Sequence, residues 1–225
     1  MEINGMRSVQ FKDFWFPEVK DGGGERHYTF STKRVASLNW VLDHWKDRRK
    51  IVVQAGGSYG VWPKKLASEF EYVYTFEPDA VSFHHLVLNV PEPNVFKSQM
   101  ALSDRRRCLN FAHKSFTGHR VVKSSTGGDG YHPATMVDSL ELWNLDALLL
   151  DIEGFEYFAL KGAQNSIREF RPIILIEVSN KSSAEYYAIK HGASDRLIIE
   201  LGYKLVAEVQ NDHIYVPKEM KWKTD

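Results

Sequence analysis

Four short runs made mostly of aliphatic and aromatic residues, Lys50–Val53, Tyr72–Phe76, Ala147–Leu150 and Ile173–Val178, are separated by stretches whose apolar residues recur at helical spacing. Runs this apolar need cover on both faces, and the alternation of strand and helix supplies it in a largely parallel sheet with helices on either side. An α/β fold is therefore expected. A further strand is placed near Val95–Gln99, and helices near 60–70, 79–89, 155–169 and 183–200. Ser31 is read as the cap of a helix carrying Val35, Leu38, Val41, Leu42 and Trp45. Residues 105–123 read as an extended hairpin and Thr126–Gly130 as a loop. Tyr203–Val209 and His213–Val216 close the chain as an antiparallel pair, so the sheet is mostly parallel with antiparallel strands at its C-terminal end.

A chain of 225 residues suits one α/β domain. Residues 1–30 are expected to form an N-terminal arm and 31–225 a single domain. The arm holds Phe11, Phe14, Trp15 and Phe16, followed by Asp21-Gly22-Gly23-Gly24-Glu25, read as a mobile turn. Twenty-nine lysines and arginines balance 29 aspartates and glutamates, which excludes a global field for nucleic acid or anionic membrane. No apolar run approaches the roughly eighteen residues of a membrane span, and the N-terminus has no secretory apolar core. A soluble, cytoplasmic protein is expected. Cys108 stands alone, which forbids an intramolecular disulfide, agrees with a reducing compartment, and suggests a buried structural thiol.

Ligands of open parallel sheets bind beyond the carboxyl ends of the strands, where strand order reverses. The first such end is Gln54-Ala55-Gly56-Gly57-Ser58-Tyr59-Gly60. Glycines there let a ligand lie against bare backbone, and they also serve tight strand-to-helix turns. The second end is Phe76-Glu77-Pro78-Asp79. Glu77 lies twenty residues past Gly57, the separation at which an acidic side chain accepts both hydroxyls of a ribose. Turn and carboxylate together specify an adenosine-containing ligand, and both dinucleotides and S-adenosylmethionine satisfy them. A dinucleotide fingerprint wants G-x-G-x-x-G, whereas this turn begins with Gln54 or Ala55.

Ala147–Leu150 leads into Asp151-Ile152-Glu153-Gly154-Phe155-Glu156, three carboxylates directly after a buried run. Such charges are costly unless they face a ligand, a metal or solvent, or cap the following helix, as Glu153 and Glu156 can. Glu177 ends the next apolar run in the same way, so Asp151 and Glu177 should be neighbours.

The segments VVQAGGSYG, YTFEPD, NVFKSQMALSD, TMVDSL, LLLDIEGFEYFALKGA, RPIILIEV and DHIYVP follow in this order from about Ile51 to Val216. In sequence and spacing they resemble the FkbM-type S-adenosylmethionine-dependent methyltransferases, and the QAGG form is similar to bacteriophage-encoded members. The resemblance implies a Rossmann-like class I methyltransferase sheet and S-adenosylmethionine as methyl donor, with S-adenosylhomocysteine as product. It also implies O-methylation of a hydroxyl on a sugar or other small metabolite. Under it, Ala55, Gly56, Gly57 and Gly60 would face the methionine part. Glu77, with Pro78 beside it, would hold the ribose, and Met100, Ala101 and Leu102 would border the adenine. Asp151 and Glu153 would line the transfer site. Gln54 stands where the family commonly carries an acid; its amide can bond the cofactor without attracting the ammonium by charge.

Methyl transfer to a hydroxyl needs a base, for which Asp151, Glu153 and Glu177 are the candidates. Asp151 with Glu177 could also hold a divalent cation, but two residues do not make a metal site. His213 is placed where it could approach the pocket, and His84 and His85 are read as structural. Between Arg105 and Lys123 lie Arg105, Arg106, Arg107, His113, Lys114, His119, Arg120 and Lys123 without one acidic residue. This stretch is either a site for an anionic acceptor or a solvated hairpin, on which Phe111 and Phe116 either stack a ring or face the core. The expected partner is a small-molecule or glycan acceptor, anionic if Arg105, Arg106, Arg107 and Arg120 receive it, with neither membrane nor nucleic acid. Two rivals remain: a binding module of the same fold that has lost turnover at Gln54, and a nicotinamide-dependent oxidoreductase.

Overall fold

The computed structural model describes residues 2–3, 6–18, 23–33, 35–113, 119–122, 130–178 and 186–222. The chain opens with a meander of β1 (Glu2–Ile3), β2 (Met6–Phe11) and β3 (Phe14–Pro17), followed by α1 (Gly23–Lys33) and α2 (Ala36–His44). Part of the expected mobile turn is thus helix. Gly23 opens α1, and a side chain on Gly24 would stand 3.2 Å from both Phe11 and Val9, so its absence lets the helix lie close on the meander. Ser31 sits inside α1 instead of capping a helix.

Then come β4 (Ile51–Ala55), α3 (Val61–Ala67), β5 (Tyr72–Phe76), α4 (Ala80–Asn89) and β6 (Val95–Ser98). A second sheet intervenes, built from β7 (Ala101–Leu102), β8 (Arg107–His113), β9 (His119–Val122) and β10 (Gly130–Thr135) in the order β7-β10-β8-β9. The main sheet resumes with β11 (Ala147–Leu150), α5 (Glu156–Lys161), α6 (Gln164–Phe170), β12 (Ile173–Glu177), α7 (Ala193–Glu200), β13 (Tyr203–Val209) and β14 (Asp212–Pro217).

The main sheet runs β13-β14-β12-β11-β4-β5-β6. Its five strands from β12 to β6 are parallel, and β14 is antiparallel to both neighbours. The chain lays strands outward from β4 through β5 and β6, then restarts on the other side of β4 at β11. The reversal of order falls between β4 and β11. Alternate residues feed two cores: Val53, Leu148, Leu150, Ile174 and Ile176 on one face, Val52, Leu149, Val73 and Leu175 on the other. Each such side chain contributes about 1.5–3 kcal/mol when fully buried. Asp146 registers the opposite edge: its carboxylate accepts the Lys50 and Ile51 N–H groups at 2.7 and 3.1 Å and pairs with Arg48 at 2.8 Å.

The hairpin expected at 105–123 is β8–β9, with Phe111 opposite Val121. Cys108 is exposed, not buried: Leu109 and Phe111 take the inward positions of β8 and alternation turns Cys108 outward. The single helix expected at 155–169 is two, broken at Gly162. A side chain there would stand 2.0 Å from the Ser103 carbonyl oxygen, so the backbones touch where the second sheet joins the body. Of the helix expected at 183–200, α7 forms Ala193–Glu200, after Gly192 in the left-handed region, and residues 183–185 lie outside the described residues. Residues 126–129 of the expected loop lie outside the described residues. Among the described residues, no helix is long and apolar enough to cross a membrane.

Candidate active site

A cavity opens at the β4/β11 reversal. The glycine turn builds its floor: the Gly56 and Gly57 N–H groups both donate to the Phe76 carbonyl at 3.0 Å. Gly56 has φ +86°, and a Cβ on it would meet the Asp151 carbonyl oxygen at 1.9 Å. Only glycine lets β4 leave the sheet here while the Asp151 N–H still reaches the Ala55 carbonyl at 3.1 Å. The Glu77 carboxylate is fastened from the next strand: Oε2 accepts the Ser58 N–H at 2.8 Å and Oε1 the Asp79 N–H at 2.9 Å. Burial raises its pKa to about 7, with Asp79 adding to the rise and the two N–H groups opposing it. Each oxygen keeps a lone pair for a further donor.

By the segments that supply them, the wall residues fall into two zones, which meet where Ala101 packs with Phe111 and Phe155. One comprises the turn from Ala55 to Tyr59, then Val61 and Trp62 of α3, and Phe76, Glu77, Pro78 and Ser82, with Ala101 and Leu102 of β7. The other comprises Phe111 and Val121 of the β8–β9 hairpin and Asp151, Ile152, Glu153 and Phe155 after β11. The first zone offers bare backbone, a buried carboxylate and an apolar slot. The second offers two carboxylates among aromatic and aliphatic groups. Among the described residues on these walls, Glu77, Asp151 and Glu153 are the charged ones, and there is no lysine, arginine or histidine.

The loop after β11 has a fixed shape. Glu153 and Gly154 both take positive φ, +56° and +96°. Fully buried Glu156 turns back to accept the Ile152 and Gly154 N–H groups at 3.0 and 3.2 Å. Of the three carboxylates, Glu156 therefore braces the loop, while Asp151 and Glu153 reach the cavity wall.

Of the expected site residues, Ala55, Gly56, Gly57, Glu77, Pro78, Ala101, Leu102, Asp151 and Glu153 are brought together on the walls. Gln54, Gly60, Met100 and Glu177 are not on them. Gln54 is fully buried in β4; its Oε1 accepts from the Thr75 hydroxyl at 2.6 Å, and its Nε2 has no hydrogen-bond partner among the described residues. Gly60, at φ +93°, lies behind the turn against Val90 and Leu86. Met100 packs on the main core. Glu177 follows Ile176, which pairs with Leu150, so Asp151 and Glu177 end adjacent strands.

His213 is also off the walls. Its Nδ1 lies 2.7 Å from Asp195, which also accepts from the Tyr215 hydroxyl. His85 bonds the Val81 carbonyl at 2.7 Å and Ser8 at 3.0 Å. Arg107 is bound to the Ser103 hydroxyl and to Asp104 and lies over the Phe155 and Phe158 rings. Arg105 and Arg106 are exposed at the β7–β8 turn, away from the walls. Lys114, Phe116 and Lys123, like the Arg120 side chain, lie outside the described residues. Among the described residues, no group of three histidine, cysteine or acidic side chains is arranged to hold a metal ion. Sequence reasoning did not single out Trp62, Ser82, Val121 or Phe155. Only Phe155 sat inside a motif, and the others come from a helix face or hairpin whose orientation the sequence leaves open.

Residues 59–205 match the profile of the family described as Methyltransferase FkbM domain. Among solved structures, the methyltransferase FkbM from Methylobacillus flagellatus KT superposes with a TM-score of 0.53 at 17% identity, over 76% of this chain and 44% of that one. The N-methyltransferase NodS from Bradyrhizobium japonicum WM9 does so with a TM-score of 0.51 at 8% identity, over 88% and 99%. At such identities the likeness is one of fold. The chain thus spans less than half the length of the Methylobacillus protein. No curated protein matches the sequence.

Proposed function

The chain belongs to the FkbM methyltransferase family, a family dependent on S-adenosylmethionine, and from that premise we propose that it methylates a hydroxyl of a small, uncharged acceptor. The observation that carries this reading is the two-zone cavity. Its first zone fits the cofactor's chemistry: the Gly56–Gly57 turn forms part of the wall, Glu77 can accept a ribose diol, and Ala101 and Leu102 offer an apolar edge to adenine. Three carboxylates on the walls suit a ligand whose sulfonium and ammonium outweigh its one carboxylate. When bound, S-adenosylmethionine supplies an electrophilic methyl group.

In the second zone, Phe111, Val121, Ile152 and Phe155 would exclude water and hold the acceptor's carbon skeleton. Asp151 or Glu153 would take the hydroxyl proton as the oxygen becomes nucleophilic. Asp151 and Glu153 on these walls would repel an anionic acceptor. This supports an uncharged acceptor over the anionic one suggested by the basic stretch. Position supplies much of the rate in such a transfer, and the braced Ile152–Glu156 loop is suited to it.

The test is methyl transfer from S-adenosylmethionine, followed by mass spectrometry, to paired panels of neutral sugars and polyols and their phosphorylated forms. Transfer to hydroxyls of the neutral panel is expected. Transfer confined to phosphorylated acceptors, or to nitrogen, would replace this reading.

A further inference from the structure

The elements that stand before the family match pack against a residue of the cavity wall. β2, β3 and α1 all precede Tyr59, where the match begins. Tyr59 lies on the cavity wall, and the other sides of its ring are closed by three rings meeting it edge to face. These are His27 at 4.8 Å and 80°, Phe16 at 5.6 Å and 82°, and His85 at 5.9 Å and 85°. His27 is stacked on Phe16 at 5.6 Å with the planes 3° apart. His27 and Phe16 are almost wholly buried, as is Tyr59.

A second tie runs through the backbone. Asn89 of α4 donates from Nδ2 to the Tyr59 and Trp15 carbonyls, each at 2.8 Å, and accepts the Trp15 N–H at 2.6 Å. One side chain thus fastens β3 to the cofactor turn.

We propose that His27 and Asn89 are positioning residues that fix Tyr59 on the cavity wall and thereby set the affinity for S-adenosylmethionine. The inference rests on the cofactor reading above. The physical reason is preorganisation: a ring held by three neighbours and a backbone held by a fork lose little freedom when a ligand arrives. Removing the His27 ring opens space beside Tyr59, and the ring's lost order must then be restored at each binding event.

Calorimetry with S-adenosylmethionine tests it. His27→Ala is expected to raise Kd roughly threefold to tenfold, the worth of an aromatic edge-to-face contact. His27→Phe keeps both ring contacts and should restore parental affinity. Asn89→Leu should also raise Kd. In a Tyr59→Ala background, His27→Ala should have no further effect, because the residue it acts through is gone. If His27→Ala does not fold, His27→Leu takes its place in the same cycle.

Unchanged affinity in the His27 and Asn89 variants would overturn the inference. So would a loss of equal size in the Tyr59→Ala background, which marks general loosening. Failure of the parent protein to bind S-adenosylmethionine would overturn the cofactor reading instead.

Discussion

Glu77 combines a buried carboxylate with a pKa raised to about 7, so its charge state changes in the range where the protein would be assayed. An ionised carboxylate accepts ribose hydroxyls better than a protonated one, so binding favours proton loss. The affinity for S-adenosylmethionine should therefore strengthen as pH rises through about 7, and calorimetry from pH 6 to 8 checks it. A flat profile would separate Glu77 from the ribose. Glu77→Gln should weaken binding roughly tenfold to a hundredfold, the worth of one or two charge-assisted hydrogen bonds, and abolish that pH dependence. Asp151→Asn and Glu153→Gln keep shape and remove basicity. At least one should depress kcat with an accepted substrate by roughly a hundredfold while leaving the urea midpoint within error, as expected of a lost general base. Parental turnover in both would place the base elsewhere.

At the scale of elements, the contact between Gly162 and Ser103 joins the two sheets. Gly162→Ala should destabilise the fold by about 2 kcal/mol or more, because the clash is with backbone and no rotamer relieves it. Equilibrium unfolding in urea measures this. β6 illustrates a different device. The Asn94 and Ser98 carbonyls face β5, where they accept the Val73 and Glu77 N–H groups, so the Val95 carbonyl faces the free edge. Lys97 Nζ donates to that carbonyl at 3.0 Å. An ammonium on an edge strand opposes pairing with another chain. Lys97→Val should increase self-association in sedimentation velocity, and an unchanged profile would deny the lysine that role. The buried strands were legible because Tyr72–Phe76 is made of aromatic and β-branched residues, Ala147–Leu150 is apolar throughout, and acidic residues bound both. β10 was not legible, since Gly130 and Pro133 interrupt its pattern and its pairing with β8 is set by tertiary contact. For the site, Glu77 and Asp151 could be read from their places at strand ends. Trp62 and Ser82 could not, because helical spacing does not say which flank of α3 or α4 meets the cavity.

For the molecule as a whole, two buried groups act on stability with opposite sign in overlapping pH windows. His27 is pushed down to about 4, by burial first and then by His85 and Arg26. Below its ordinary pKa of 6.5 the unfolded chain binds the proton more readily, so this contribution is lost as pH falls from about 6.5 towards 4. Glu77, raised from 4.5 to about 7, binds the proton more readily in the folded state, so acidification from 7 to 4.5 stabilises. The two partly cancel. Glu77→Gln removes the offset, so its urea midpoint should fall more steeply between pH 6.5 and 4.5 than the parent's; parallel profiles would show that Glu77 carries no such linkage. The sheet order has a consequence during synthesis. β14, made from residues 212–217, lies between β12 and β13, which are both translated before it. Until the ribosome has passed Pro217, β12 has one hydrogen-bonding neighbour in place of two, and β13 has no place in the sheet. The parallel half, with its glycine turn and Glu77, can assemble early. The nascent chain nevertheless carries an open β12 edge through the intervening interval, the stretch of its manufacture in which a holding chaperone matters most.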